Sequence, residues 1–132
     1  MNCTIVSNVI ETSGSAGLDV GVIATNCIVY ENRSAGVISN YSGTVQFKNC
    51  NVWPLPAGGG DLGGNISNAP SFMDLPAADF RLAPRDLCIN AGLTESWMAG
   101  TVDLDGRMRV RYGAVDMGCY EHIYQGTLYS IH

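Results

Sequence analysis

The sequence is poor in charged residues, and positive charge is especially sparse. Only 14% of the 132 residues are charged, and 7 Lys and Arg against 12 Asp and Glu give a formal net charge of −5. Average proteins have about 25% charged residues. Lys48 is the single lysine. Because a nucleic-acid backbone or an acidic membrane surface attracts proteins through basic patches, we expect neither as a partner.

Long apolar runs and paired cysteine motifs are absent as well. No stretch of about 20 apolar residues could cross a membrane, and the first residues carry neither the basic nor the apolar segment of a signal peptide. We therefore expect no membrane span and, if the chain is complete, a cytoplasmic location. The five cysteines are widely spaced and include no Cys-x-x-Cys pair, so neither a disulfide scaffold nor a zinc site of that kind is predicted.

A repeat of 23 to 24 residues runs through the first part of the chain. The dipeptide Asn-Cys begins at positions 2, 26 and 49, and Ser15-Ala-Gly-Leu18 recurs as Ser34-Ala-Gly-Val37. The leucine spacing of a leucine-rich repeat is missing, and short β-branched segments between turn residues indicate strands. The predicted strands are Thr4–Val6, Val20–Ile23, Val37–Ile38 and Thr44–Phe47. The sequence thus predicts an all-β fold, a right-handed parallel β-helix (β-solenoid) fragment with coils over residues 2–56.

The alternation of side chains along a strand places the repeated cysteines. Successive side chains point to opposite faces, so we place Cys3, Cys27 and Cys50 inside as structural residues. A reduced ladder of small apolar fillers is favoured over a disulfide or a metal site, because the number of cysteines is odd. The outer face then carries Thr4 and Val6, Ile28 and Tyr30, and Asn51 and Trp53. It holds no carboxylate and no base, so the coils supply no catalytic constellation.

Asparagine precedes each of the three repeated cysteines. Asn tolerates left-handed backbone, and its amide can bond to neighbouring residues. We therefore expect Asn26 and Asn49, together with Asn2, to be structural residues at the bends between strands. Asn8 and Asn32 recur in the same way, and an asparagine ladder is expected.

After Trp53 the repeat is lost, and residues 57–64 form a predicted Gly-rich loop. Five segments follow: Asn65-Ile-Ser-Asn-Ala-Pro70-Ser-Phe72-Met-Asp74, Asp79-Phe-Arg-Leu82, Pro84-Arg-Asp-Leu-Cys88-Ile-Asn-Ala-Gly92, Asp103-Leu-Asp-Gly106 and Val115-Asp-Met-Gly-Cys-Tyr-Glu121. In this order and spacing they resemble the C-terminal end of large bacterial right-handed parallel β-helix, pectin-lyase-like proteins, often called a choice-of-anchor domain. The resemblance implies a C-terminal cap region over residues 65–121 and an extracellular or cell-surface location. Residues 122–132 are then the tail of a single domain over residues 1–132.

Two groups of side chains are candidates for ligand binding. Tyr30 and Trp53, on adjacent coils of the outer face, would form a platform for a sugar ring, although packing under a loop is the favoured alternative. Arg107 and Arg111 lie with Arg109 on one face of an alternating strand, which suits a sulfate or a uronate. For these arginines, ion pairs with acidic residues are the favoured alternative.

The acidic residues of the second half are interpreted mainly as structural. Arg109 matches an Arg of the resembled family, and we expect it to pair with an acidic residue of the cap. The candidates are Asp103, Asp116 and Glu121. Asp103 and Asp105 precede a glycine at alternate positions, as ligands do in calcium loops. The further acidic ligands of a full calcium site are missing, so a tight turn is favoured and no cofactor is expected.

Together these patterns predict a non-catalytic structural or interaction module, the terminal part of a secreted or surface β-helix protein. Such a module would bind a polysaccharide, or would associate with copies of itself through the open edge of its first coil, and we expect a homo-oligomer. The alternative is a carbohydrate-active enzyme, a polysaccharide lyase or a glycoside hydrolase. Its site would lie in coils outside this chain or at an oligomer interface formed by Asp74, Asp79, Arg81 and Asp86.

Overall fold

The computed structural model describes residues 1–123, which form short strands joined by turns. Ten strands lie in this range: β1 (Thr4–Val6), β2 (Val9–Ile10), β3 (Ile23–Thr25), β4 (Ile28–Tyr30), β5 (Arg33–Ser34), β6 (Val37–Ile38), β7 (Gln46–Lys48), β8 (Asn51–Val52), β9 (Phe72–Asp74) and β10 (Asp79–Leu82). Single 3-10 turns occur at Gly58–Gly60 and Ser96–Met98. No helix within residues 1–123 is long and apolar enough to cross a membrane, as the sequence predicted.

The strands of the repeated segments pair side by side. β1, β4 and β8 form a parallel sheet in which Thr4 lies opposite Ile28, and Ile28 lies opposite Asn51. β3 and β7 form a second parallel pair. The paired residues are 24 or 23 positions apart, which is the spacing of the Asn-Cys repeat. Each copy of the repeat therefore contributes one strand to the three-stranded sheet.

The predicted right-handed parallel β-helix fragment is nevertheless wrong. The strands lie in separate sheets of three, three, two and two strands, and no sheet of the described residues has the continuous form of a solenoid. One reason is that β5 and β6 pair antiparallel. Ala35 and Gly36 between them both have positive φ angles, 47° and 82°, as in the two-residue turns that reverse a strand. The chain folds back here instead of continuing around a coil.

The second half departs from the repeat altogether. Pro54 and Pro56 lack the backbone N–H that a further ladder strand would need, and only two isolated parallel bridges to the repeated half follow within the described residues, from Asp61 to Phe47 and from Ile66 to Asn51. β9 and β10 then form an antiparallel pair. The predicted cap region thus contains turns, bridges and one antiparallel pair of strands. Because these elements do not follow the 23- to 24-residue spacing, the repeat does not predict how they contact the repeated half.

Two hydrophobic clusters lie on opposite faces of the β1–β4–β8 sheet. Val29 belongs to the first cluster, which the repeated half builds from Ala24, Cys27, Val29, Val45, Phe47, Cys50 and Val52. Ile28 points to the other face and packs with Leu82, Cys88 and Met117. The second half of the chain therefore covers the face of the sheet that was predicted to be the outer one.

The predicted inner and outer faces need correction for this reason. Cys27 and Cys50 are buried as predicted, but Cys3 is exposed, because within the described chain β1 has a neighbouring strand on one side only. Ile28 and Asn51 were predicted outside, and each is only 1% exposed.

Asparagine side chains connect the repeated half to the second half. Asn2, Asn26 and Asn49 have left-handed φ angles of 55°, 56° and 50°, which confirms the expected conformation of the bends. The Asn26 side chain donates a hydrogen bond to Leu93 O at 2.8 Å and accepts one from Leu93 N–H at 2.6 Å. Asn49 Nδ2 donates to Ala91 O at 3.5 Å. The side chains of Asn26 and Asn49 thus bond to the second half, while backbone bonds such as that from Asn26 N–H to Lys48 O join successive bends.

A ladder of asparagine amides does form at a different bend. Asn8 Nδ2 donates to Asn32 Oδ1 at 2.8 Å, and Asn32 Nδ2 donates to Asn40 Oδ1 at 3.0 Å. Asn32 and Asn40 are buried, so these bonds replace the water that the amides lose on folding.

Candidate binding site

Three buried carboxylates organise the end of the described chain. Asp103, Asp116 and Glu121 are only 6%, 2% and 3% exposed, and burying a charge is costly unless hydrogen bonds replace its water. Asp103 Oδ1 accepts bonds from the N–H groups of Asp105 and Arg107, both at 2.8 Å. Asp103 Oδ2 accepts a third bond from Glu121 N–H at 2.8 Å. This carboxylate joins the turn at residues 103–107 to the segment at Glu121.

The other two carboxylates extend the same arrangement. Asp116 accepts bonds from the N–H groups of Asn90 and His122, and its own N–H donates to Glu121 Oε2 at 2.9 Å. Glu121 Oε1 lies 3.4 Å from the Arg109 guanidinium, whose side chain is largely buried. The predicted ion pair of Arg109 with an acidic residue is confirmed, and its partner is Glu121.

The Glu121 carboxyl takes up a proton near neutral pH. Burial raises its pKa from 4.5 to about 7, and the negative charges of Asp116 and Asp103 raise it too, while the Asp116 N–H and Arg109 act in the opposite direction. Burial likewise raises the pKa of Asp116. Desolvation raises the pKa of Glu121 more than the ion pair with Arg109 lowers it, because that contact is long, 3.4 Å, and two further carboxylates lie nearby.

A cavity of about 310 Å³ opens beside Glu121. It lies between the β9–β10 pair and the segment at 121–123, and its volume is at the lower end of the range for small-molecule sites. Its lining combines four apolar with four polar side chains: Met73, Leu82, Pro84 and Ile123, and Arg81, Arg107, Glu121 and His122. A ligand with a hydrocarbon surface and a polar group matches this mixture.

The two arginines of the cavity differ in how fully they are paired. Arg81 Nε donates to Asp105 at 2.8 Å, and its guanidinium also lies 3.6 Å from Asp79 and 6.0 Å from the centre of the Tyr120 ring. Among residues 1–123, Arg107 makes only a long bond, 3.4 Å, from its guanidinium to the backbone carbonyl of Glu121. Arg107 is therefore the cavity's main unneutralised cation, with donors left for an anionic ligand.

The calcium alternative finds no support at Asp103 and Asp105. The oxygens of Asp103 are occupied by backbone N–H groups, and Asp105 is paired with Arg81. Gly106 N–H donates to Asp103 O at 3.1 Å, which closes the tight turn that the sequence favoured. Among residues 1–123 no three His, Cys, Asp or Glu side chains are grouped in a way that could hold a metal ion.

The other predicted ligand-binding residues lie apart from this cavity. The Tyr30 hydroxyl donates to Ser67 O at 3.1 Å, so its ring packs under a loop. Trp53 is 48% exposed, and no ring contact joins it to Tyr30 within the described chain. Arg111 is exposed, and its backbone pairs with Ala114. Of the four candidates only Arg107 lines the cavity.

The residues predicted for an enzymatic site do not form one site either. Asp74 and Asp79 lie opposite each other in the β9–β10 pair, and Asp79 pairs with Arg81. Asp86 accepts bonds from the N–H groups of Ser71 and Cys88 beside a different cavity. Arg81 is therefore the only one of the four at the larger cavity.

Sequence reasoning missed two residues of the cavity, Glu121 and His122. Glu121 was considered only as a partner for Arg109, and His122 only as a metal ligand together with Cys119, a pair too small to form a site. Backbone N–H bonds from Glu121 to Asp103 and from His122 to Asp116 place these two residues at the cavity. No residue pattern in the sequence predicts such bonds.

The stacked cysteines are free thiols. All five cysteines are unpaired, so the disulfide alternative is wrong for this structure. Cys27 N–H donates to Cys50 Sγ at 3.3 Å. The hydrogen bond from Cys27 and burial raise the pKa of Cys50, and burial raises that of Cys88. Cys50 and Cys88 therefore stay protonated and act as apolar fillers.

The first repeat presents an open edge. Within residues 1–123, β1 pairs only with β4 and β2 pairs only with β5. Met1 and Val9 beside these strands are exposed apolar side chains. The opposite end of the three-stranded sheet is covered, because Ile66 bridges to β8. Unpaired N–H and C=O groups at such an edge can bind another strand.

Comparison of the chain with family models, with curated proteins and with solved structures finds no match.

Proposed function

We propose that this protein is a non-catalytic binding module whose 310 Å³ cavity takes an acidic sugar, a uronate or a sulfated residue. The observation that carries the proposal is the incompletely paired guanidinium of Arg107 in a cavity that is otherwise half apolar. An arginine fork matches the two oxygens of a carboxylate or sulfate. Met73, Leu82 and Pro84 offer apolar surface for the C–H groups of a sugar ring.

The lining of the cavity supports binding rather than hydrolysis. A glycoside hydrolase needs two carboxyl groups that flank the bond to be broken. Among the described residues that line the cavity only Glu121 has a carboxyl group, and both of its oxygens are engaged by Arg109 and the Asp116 N–H. The resemblance of residues 65–121 to choice-of-anchor ends stays a prediction, as does the extracellular location, and both agree with a carbohydrate ligand.

Titration calorimetry with galacturonate and galactose tests this proposal, because the two sugars differ by the carboxylate. We expect galacturonate to bind at least tenfold more tightly, an affinity that falls with added salt. Arg107→Gln should remove this preference, whereas Arg111→Gln, an exposed arginine away from the cavity, should keep it. Equal binding of the two sugars, or no binding of galacturonate at millimolar concentration, would contradict the proposal.

We also propose that the protein forms a homo-oligomer through the open edge of β1 and β2. In the β1–β4–β8 sheet the end opposite β1 is covered and leaves no matching surface for an endless stack, so two open edges would meet around a two-fold axis and form a closed dimer. This second proposal depends on the unpaired edge and the exposed side chains of Met1 and Val9.

A matched pair of variants tests the dimer. Val9 on β2 and Val37 on β6 are 64% and 68% exposed and lie in the outer strands of the same sheet. At tens of micromolar, sedimentation should detect a dimer for the unmodified chain and for Val37→Lys, but a monomer for Val9→Lys, because a lysine opposes strand addition. A monomeric unmodified chain, or equal behaviour of the two variants, would exclude the edge as the interface.

A further inference from the structure

Three cysteines of the repeated half are neighbours across the sheet. The pairing of β1 with β4 and of β4 with β8 brings the residues just before these strands into register, and these residues are Cys3, Cys27 and Cys50. Neighbouring strands lie about 4.8 Å apart. This spacing is within the range of about 4.4–6.8 Å between the α carbons of a disulfide. Neither the sugar cavity nor the proposed dimer depends on these thiols.

The three thiol groups have the same orientation. Each S–H donates a hydrogen bond to the carbonyl two residues earlier, at 3.3 Å for Cys3, 3.2 Å for Cys27 and 3.3 Å for Cys50. Cys27 N–H donates to Cys50 Sγ at 3.3 Å, and a backbone hydrogen bond from Cys3 acts on the Cys27 thiol in the same way. The sulfurs therefore follow one line across the strands, with Cys3 Sγ next to Cys27 Sγ.

The cysteines differ in their access to solvent. Cys3 is exposed because β1 is an edge strand, whereas Cys27 and Cys50 are only 3% and 0% exposed. Cys88 is buried and Cys119 is partly buried. A thiol has to be accessible to react with a reagent in solution, so Cys3 is the first of the five cysteines to react.

The surroundings of Cys27 favour its thiolate. A side-chain hydrogen bond with Cys50 lowers the pKa of Cys27, and the backbone of Cys3 lowers it too, although burial acts in the opposite direction. Cys50 has a raised pKa and keeps its proton, so it is the donor of this bond. The thiolate is the form of cysteine that attacks a disulfide. Cys27 is therefore suited to attack a disulfide formed on the neighbouring Cys3.

From this arrangement we propose that Cys3 and Cys27 form a modification site for small-molecule disulfides such as oxidised glutathione. The Cys3 thiolate attacks one sulfur of the reagent, forms a mixed disulfide and releases one glutathione. The Cys27 thiolate then attacks Cys3 Sγ and releases the second glutathione. Two cysteine sulfurs are oxidised, and the reagent is reduced to two thiols that take up the two protons. The product is a disulfide that joins the first repeat to the second.

Oxidation of the full 132-residue chain with glutathione disulfide, followed by tryptic digestion and mass spectrometry, tests this proposal. Cleavage after Arg33 leaves Cys3 and Cys27 together on peptide 1–33, and the three other cysteines lie on separate peptides. We expect peptide 1–33 to lose the mass of two hydrogen atoms. A cross-link between two peptides, a glutathione adduct that stays on peptide 1–33, or an unchanged mass overturns the proposal.

Variants of single cysteines separate the two steps. Cys27→Ala should stop the reaction at the mixed disulfide, so glutathione should stay on Cys3. Cys119→Ser is the matched control, because it removes the next most accessible thiol, and it should form the same disulfide as the unmodified chain. Loss of the disulfide in Cys119→Ser would refute the assigned pair.

The melting temperature gives an independent measurement. The oxidised chain should melt at least about 5 °C above the reduced chain, because the disulfide restricts the unfolded state. Cys3→Ser, at an exposed position, should melt at one temperature with and without the reagent. Equal melting of the oxidised and reduced unmodified chain would exclude a disulfide that joins the two repeats.

Discussion

The repeated half, residues 2–56, and the second half, residues 65–123, are stabilised by different kinds of contact. The repeated half buries an apolar cluster around Val29 and Phe47, with strands in register at the repeat spacing. The second half has fewer strands, and its buried carboxylates bind backbone N–H groups. Side-chain contacts that recur at the repeat spacing are visible in the sequence as a repeated residue pattern. Hydrogen bonds from a side chain to a distant backbone group produce almost no such pattern.

This difference also explains where the cavities lie. A repeated layer places similar side chains on top of one another and fills its own interior. In the second half, carboxylates such as Asp103 and Asp86 bond turns to neighbouring segments without a layer of apolar side chains between them, and both cavities adjoin these turns. Binding is therefore expected in the half that the repeat does not describe.

The largest expected effect is the loss of the apolar core of the repeated half. Phe47 is fully buried and its ring meets Tyr41 edge to face at 4.8 Å. Phe47→Ala should lower the free energy of unfolding by about 3–5 kcal/mol in urea titrations, because it removes apolar contacts and leaves a cavity. Val37→Ala, at an exposed position, should change it by less than about 0.5 kcal/mol. A loss below about 1 kcal/mol for Phe47→Ala would mean that the repeat does not dominate stability.

The second half should instead respond to pH through Glu121. Its folded pKa of about 7 exceeds the ordinary 4.5, so the folded state binds the proton more tightly than the unfolded chain. The resulting stabilisation is complete below about pH 4.5 and is lost as the pH rises through 7. At about 1.4 kcal/mol per pKa unit, the loss is at most about 3–4 kcal/mol.

Thermal unfolding between pH 5 and 8 measures this contribution. Glu121→Gln cannot titrate, so its stability should fall less steeply with rising pH than that of the unmodified protein. Glu11→Gln, at an exposed carboxyl in the repeated half, should leave the slope unchanged. If all three proteins share one slope, the buried carboxylates of the second half do not titrate in this range.

The smallest expected effect is the difference in the free energy of unfolding between Gly17→Ala and Gly36→Ala, which change the same position in the two copies of the Ser-Ala-Gly element. A Cβ at position 17 would lie 2.1 Å from Asn40 O, whereas a Cβ at position 36 would meet nothing within 4 Å, although Gly36 has a φ of 82°. Gly17→Ala should therefore cost about 2–3 kcal/mol through overpacking, and Gly36→Ala about 1 kcal/mol through backbone strain. Equal losses in urea titrations would mean that the backbone near Asn40 moves freely.

These two glycines illustrate how far the sequence predicts the fold. The sequence Ser-Ala-Gly occurs twice, in two different conformations. Gly36 lies in the hairpin turn between β5 and β6. Gly17 packs against Asn40, and the next residue, Leu18, bridges to Tyr41. Local preference permits both conformations, and the neighbouring chain selects one. The predicted solenoid failed for this reason, since it assumed that equal sequence means equal conformation.

The candidate sites were predictable only in part. Arg107 was identified as a ligand-binding candidate because an alternating run of arginines is visible in the sequence, and Arg109 was identified as an ion-pair partner because it matches an Arg of the resembled family. Asn51 was expected on an outer face, yet it is a buried wall of the smaller cavity beside Asp86. The reason is that residues 68–88 fold over it, and sequence distance gives no measure of such a contact.

The sequence by itself determined the strands at Thr4–Val6 and Val37–Ile38, the left-handed asparagines, the parallel register of the repeat and the absence of a membrane-spanning helix in the described chain. These features follow from the preferences and spacing of neighbouring residues. Only the tertiary structure decided which face of the sheet is covered, which carboxylates are buried and where the cavities open. Those outcomes depend on contacts between residues that are far apart in the chain, and no local preference encodes them.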